Sequence, residues 1–215
     1  MNAQPPRALW PRQTRVLIIR HGESEANKQK VVAGQLDPPL TALGRQQAEA
    51  LARHLRQERL DAIVTSSLQR TVLTATPAAH DHGLRIDVRD ALKEIHLGAL
   101  QGRFRDERDP DALCMWKARE VNVPAFRPQG GETFLELEQR VLPCLRDLLA
   151  TYAGRTFLLV GHRNTNRVIL GALMRVSREE SVAFKPRPTV LHAVTLGDVP
   201  TLDTIRIAAI AAAER

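Results

Sequence analysis

Short apolar runs alternate along this chain with stretches of helical period, and nothing else in the sequence restricts the fold as much. Arg15-Val-Leu-Ile-Ile19 and Thr156-Phe-Leu-Leu-Val160 are the clearest runs. Neither alternates with polar residues, which is the pattern of strands buried on both faces. Asp61-Ala-Ile-Val-Thr65 and Arg85-Ile-Asp-Val88 are shorter candidates. Between the runs, Thr41 is placed to cap a helix in which Ala48, Leu51, Ala52 and Leu55 recur on one face. A second helix is expected from about Leu68 to His80. A third spans Glu132 to Tyr152, with Phe134, Glu138, Val141, Leu145, Leu148 and Tyr152 on one face. Pro143 lies inside it and predicts a kink or a break. Asn164 or Thr165 is expected to cap the helix after Val160. Val190 to Leu196 and Thr204 to Ile210 read as an antiparallel pair near one edge. The class is therefore α/β: a three-layer α/β/α sandwich, with a mostly parallel central sheet and helices on both faces. Residues 1–13 read as a leader and 14–215 as a single domain. Residues of about 95–130, rich in charge and holding Pro110 and Pro124, form a cap segment with one short helix.

At 215 residues the chain is long enough for a sizeable core without staples. The two cysteines, Cys114 and Cys144, have no ligand-like spacing and fit a reducing compartment. The longest apolar run, Ile207 to Ala213, is far short of the ~20 residues of a membrane helix. The first residues carry Arg7 and Arg12 but no apolar signal core. A cytoplasmic protein without a membrane partner is expected. The net charge of +7 raises the question of a polyanionic partner. The arginines are dispersed, however, and one Tyr and five Phe offer little for stacking on bases. A small anionic substrate uses the same charge, and no nucleic-acid partner is expected.

The chemistry is concentrated at strand ends, where open α/β sheets bind their ligands. Arg20-His21-Gly22 follows the first strand, and Gly161-His162-Arg163-Asn164 follows the Thr156–Val160 run. Ser66-Ser-Leu-Gln-Arg70 follows another strand and sets Arg70 on the first turn of a helix. Lys93-Glu94 lies in a fourth such segment. Guanidinium forks match phosphate oxygens. A neutral imidazole can attack phosphorus, which splits one hard step into two. A carboxylic acid can protonate the leaving oxygen. Positive charge from Arg20, Arg70 and a protonated His162 would hold the transferred group.

Leu17-Ile-Ile-Arg-His-Gly-Glu-Ser-Glu-Ala-Asn27 resembles the opening motif of the histidine phosphatase superfamily, in its phosphoglycerate-mutase-like branch. The segments from Gly34 to Ala48, Ser66 to Ala75, Leu92 to Gly98, Gly130 to Thr133 and Val160 to His162 follow in the family's order. The resemblance implies that His21 is the phosphorylated nucleophile. It implies that Arg20, Arg70 and His162 clamp the phosphoryl group, and that Glu94 is the acid and then the base. Asn27 matches a position that contacts phosphate. The resemblance implies no metal and no organic cofactor.

The branch holds phosphatases and mutases. Mutases surround the acid with Glu-Arg-His-Tyr-Gly, whereas this chain has Glu94-Ile-His-Leu-Gly98. The cation and hydroxyl for the far end of the substrate are thus replaced by Ile95 and Leu97. Ala33-Gly34-Gln35 stands where mutases have Thr-Gly-Trp, and Trp116-Lys-Ala-Arg119 matches their Trp-Arg-Arg only in part. These departures favour a phosphomonoester hydrolase acting on a small phosphorylated metabolite. A primed phosphoglycerate mutase is the alternative, and a binding-only protein on the same fold a further one. Arg163 stands where glycine is common. It and Lys117, Arg119 and Arg127 are candidates for the entrance, while Met115 and Trp116 are expected to pack the cap. Asn27 has a competing role as a loop cap, and Glu94 one as a solvated carboxylate. Neither the substrate nor the oligomeric state, a homodimer included, is written in a motif.

Overall fold

The computed structural model describes residues 14–208; the expected leader over residues 1–13 lies outside the described residues. Six strands form one sheet: β1 Arg15–Arg20, β2 Ala62–Thr65, β3 Ile86–Val88, β4 Thr156–Gly161, β5 Val190–Thr195 and β6 Thr201–Arg206. Their order is β3-β2-β4-β1-β5-β6. The pairings of β3 with β2, β2 with β4 and β4 with β1 are parallel. Those of β5 with β1 and β6 are antiparallel. The expected edge hairpin is present, but its second strand begins at Thr201, three residues before the predicted start.

Among the described residues the helices are α1 Glu25–Lys28, α2 Ala42–Leu55, α3 Gln69–His82, α4 Pro110–Val121, α5 Phe134–Thr151, α6 Arg163–Met174 and α7 Arg178–Ala183. They divide between the two faces as the strand pleat dictates. Leu17, Ile19, Ile63, Leu158 and Val160 point to one side and pack with Leu51, Leu55 and Ala75 of α2 and α3. Val16, Ile18, Val64, Phe157 and Leu159 point to the other side, toward Phe134, Leu137, Leu145 and Ile169 of α5 and α6. Fully buried strands of this kind need a helical layer on each side, because either bare face would leave Val, Ile and Leu in water at about 1.5–3 kcal/mol each.

Three local expectations change. The α5 helix runs through Pro143 without interruption. Proline there removes one ladder bond, a cost of about 3 kcal/mol. The buried stripe Phe134, Leu137, Val141, Leu145 and Leu148 outweighs it. That stripe contains Leu137 in place of Glu138, whose carboxylate pairs with Arg178 at 2.7 Å. Finally, α6 is capped by neither Asn164 nor Thr165. His162 is its N-cap residue and makes no side-chain cap bond.

Candidate active site

The parallel register aligns three strand ends. Thr65 pairs with Val160, and Ile19 pairs with Val160 from the other side. Ser66, His162 and His21 therefore leave the sheet side by side. A bond from the His21 amide to the Gly161 carbonyl, 3.0 Å, ties two of these ends beyond the last paired residues. The two imidazole centroids lie 5.3 Å apart. Between the sequences that carry these rings stands more than half the chain, so only the sheet can bring them together.

The His21 ring has a defined tautomer. Its Nδ1 lies 2.7 Å from the carbonyl of Gly22. A carbonyl oxygen only accepts, so Nδ1 carries the hydrogen and Nε2 keeps a lone pair. Burial, aided by the charges of Arg20 and Arg70, holds the His21 pKa well below the ordinary 6.5. The ring is therefore neutral and nucleophilic near neutrality. The Gly22 amide donates to Thr74 Oγ1 at 2.9 Å, which anchors the loop to α3. Gly22 is required there because a Cβ would strike the Gly44 backbone at the start of α2.

His162 is also buried and its pKa is held well below 6.5, first by desolvation and then by Arg70. Burial thus disfavours, in the unliganded chain, the imidazolium expected to hold the transferred group. Its Nε2 meets Ser66 Oγ at 2.8 Å, while Nδ1 is buried with no partner. With Ser66 donating to Nε2, the ring presents Nδ1–H as a donor. A dianion docking beside it favours the charged form and draws the pKa upward.

Both expected arginines are at the site. Burial pulls Arg20 down to about 10 against the opposing charge of Glu94, and its Nε is buried without a partner. Arg70 is buried and donates to the carbonyls of Leu36 and Gly34 at 2.6 and 2.8 Å. The Gly34 turn has φ +52°, and a Cβ there would strike the Gln101 side chain. A left-handed glycine thus supplies the carbonyl that aims Arg70.

Glu94 is buried, not solvated. Its carboxylate accepts from the Asn164 amide at 3.2 Å, in the first turn of α6, and from the Ile95 amide at 2.9 Å. A helix N-terminus offers unpaired N–H groups and positive potential, so an acidic side chain from another segment occupies the place of a local cap. The segment itself is fixed by Arg140, which donates to the carbonyls of Ala91, Lys93 and Glu94 at 2.8 Å each. Arg140 also pairs with Glu132 at 2.7 Å, and Glu132 accepts from the His96 amide at 2.7 Å. The Gly-Gly-Glu segment thereby holds the acid in place.

Asn27 lines the same cavity. Its backbone and its Oδ1 form a capping box with Ser24, so the competing role is real. Only the Asn27 –NH2 remains to meet a ligand. All six sequence candidates, Arg20, His21, Asn27, Arg70, Glu94 and His162, are thus brought to one place.

Ser66 and Arg140 escaped the sequence reading. So did Arg105, which lines the cavity together with Trp116 and Arg163. Arg105 and Arg119 lie against the Trp116 ring at 5.6 and 5.3 Å. Of the other entrance candidates, Arg119 is buried and donates to Asn164 Oδ1 at 3.2 Å. Arg127 instead pairs with Glu136 at 2.7 Å, and Lys117 is exposed and does not line the cavity.

Comparisons with known proteins point the same way. The sequence model of the histidine phosphatase superfamily (branch 1) matches residues 16–201. A protein of Yersinia enterocolitica named probable phosphoglycerate mutase GpmB is 31% identical over 188 residues, 87% of each chain. A mycobacterial glucosyl-3-phosphoglycerate phosphatase, solved with VO3, superposes with a TM-score of 0.81 at 28% identity. The match covers 91% of this chain and all of that one. The alpha-ribazole phosphatase of Shigella flexneri gives 0.79 at 25% identity, over 94% of this chain and all of the other.

Proposed function

The chain belongs to the histidine phosphatase superfamily (branch 1), and from that premise we propose that it hydrolyses a small phosphomonoester through a phosphohistidine on His21. The observation that carries this reading is the His21 tautomer. A carbonyl fixes the hydrogen on Nδ1 and burial keeps the ring neutral, so Nε2 is a ready nucleophile beside two arginines and a second histidine.

In the proposed cycle the phosphoryl oxygens dock on Arg20, Arg70 and His162, with the Asn27 –NH2 as a further donor. His21 Nε2 attacks phosphorus in line. The bond from phosphorus to the ester oxygen breaks, and the Glu94 carboxylic acid passes its proton to that oxygen. The Glu94 carboxylate then takes a proton from water as the water oxygen attacks phosphorus. The phosphorus–nitrogen bond breaks, inorganic phosphate leaves, and His21 is neutral again. Residues 14–215 would act as one domain, with about 95–130 capping the strand ends and a cytoplasmic setting for the reaction. No helix among the described residues is long and apolar enough to cross a membrane.

A second reading is favoured by the curated relatives named as mutases: a primed phosphoglycerate mutase using the same His21 chemistry. The test is phosphate release from an aryl phosphate and a panel of small esters in EDTA, by wild type and His21→Ala. Release by wild type, reduced by about 10³-fold or more in the variant, supports the hydrolase. Undiminished release by the variant sinks it. Isomerisation that rises with a bisphosphorylated primer, without net phosphate release, favours the mutase.

A further inference from the structure

Leu97 lines the cavity and Ile95 is buried in the core, so the wall beside Glu94 is apolar where a mutase would carry a cation and a hydroxyl. Cationic side chains nevertheless reach the cavity from two other directions. Arg105 comes from the cap side and Arg163 from the first residue of α6.

Arg105 is the more telling of the two. It is partly buried, and its guanidinium makes no hydrogen bond or ion pair among the described residues, lying instead against Trp116 at 5.6 Å. Desolvation and the charge of Arg163 both lower its pKa. A half-buried cation without an anion is costly unless something arrives to pair with it. The two acids whose charge reaches it, Glu120 and Asp106, form no ion pair with it, and Asp106 is already held by Arg108 at 2.8 Å. Arg163 is nearly as poorly served. Glu120 lies 3.3 Å from it but also 3.8 Å from Arg119. The Arg163 and Glu120 side chains are 32% and 39% exposed, so the pair is weak and readily exchanged.

The charges do not balance around one phosphate. Arg20, Arg70, Arg105, Arg119, Arg163 and Arg167 act on this region, against Glu94 and Glu120, with Asp37 and Asp106 at its margins. A phosphomonoester dianion held by Arg20 and Arg70 leaves Arg105 without a paired anion and Arg163 with only the exposed Glu120.

We propose that Arg105 and Arg163, beside the Trp116 ring, form a second anion subsite, so that the preferred substrate is a phosphomonoester bearing a further carboxylate or phosphate. This rests on the phosphatase reading of the same cavity. The second anion displaces Glu120 from Arg163 and gives Arg105 its missing partner. Glu120 keeps Arg119 as a neighbour in the loaded state.

Matched substrate pairs test this. The carboxylate arm compares 3-phosphoglycerate with glycerol 3-phosphate. The phosphate arm compares fructose 1,6-bisphosphate with fructose 6-phosphate. Wild type is expected to favour the doubly anionic member of at least one pair by about tenfold or more in kcat/KM, the size of one good charge-assisted contact. In Arg105→Gln and Arg163→Gln that ratio falls to within about threefold of unity, and Arg105→Lys or Arg163→Lys restores most of it. Calorimetry of the same pairs on His21→Ala protein reads the subsite without turnover, so it stands even if hydrolysis fails. Absence of hydrolysis with selective binding would count against the phosphatase reading alone. Equal use and equal binding of both members of both pairs by wild type would overturn the subsite. So would a loss in the two Gln variants that is the same for both members of a pair.

Discussion

At the floor of the cavity Arg20, His21 and His162 follow adjacent strands, and Arg70 is clamped by two carbonyls. At the outer wall Arg105, Trp116 and Arg163 stand on the cap and on the first turn of α6, held by a ring face and one exposed ion pair. The floor is positioned by sheet register and buried hydrogen bonds, so moving it means moving the core. The wall is positioned by side chains alone. The contrast teaches how one scaffold can keep a reaction fixed while its choice of substrate drifts. The costly geometry belongs to the chemistry, and the cheap geometry to selection.

That contrast can be tested from its strongest side downward. Replacing Arg70 by Met should lower kcat by about 10²–10³-fold for every substrate, as loss of a charge-stabilising donor does. It should also lower the melting temperature, because the Gly34 and Leu36 carbonyls lose their buried donor. Steady-state kinetics with thermal melts would check both, and unaltered stability would break the claim that the floor is part of the core.

Glu94→Gln should cost about 10²-fold or more on alkyl phosphates but far less on nitrophenyl phosphate, whose leaving group needs no proton. Equal losses on both would remove Glu94 from the acid role.

The smallest effect concerns pH. His21 and His162 are held well below 6.5 in the folded chain. The unfolded chain therefore binds more protons below 6.5, and stability falls as pH falls through that range. Each histidine should cost at most about 1 kcal/mol between pH 7 and 5.5. Because burial also lowers His192, His162→Gln should flatten the slope in a melting series by roughly a third, whereas Arg163→Gln at the wall should leave it unaltered.

The floor was legible because Arg20, His21 and His162 sit within one or two residues of an apolar run, where strand ends place ligands, and Arg70 opens the helix after another. The wall was not. Arg105 lies in an irregular stretch with no period to orient it, and dispersed arginines look alike in a sequence. The Glu94 contact shows the reason most directly. Its carboxylate serves the first turn of a helix that begins about seventy residues later, a contact that local capping rules, which point to Asn164 or Thr165, do not contain. Pro143 misled in the opposite direction, because a local penalty was weighed without the buried stripe around it.

The pairing of β1 with β4 has a consequence for biosynthesis. Arg15 faces Thr156, so the strand that leads into His21 has no neighbour on that side until the chain has grown through the whole of β4. Its other neighbour, β5, is later still. At ribosomal rates of roughly 5–20 residues per second, this leaves an apolar strand unpaired for on the order of ten seconds. Parallel contacts between distant segments also form slowly, since a long loop must close first. The candidate site is therefore assembled near the end of synthesis, and a chain stopped within β4 would carry His21, Arg20 and Arg70 without His162.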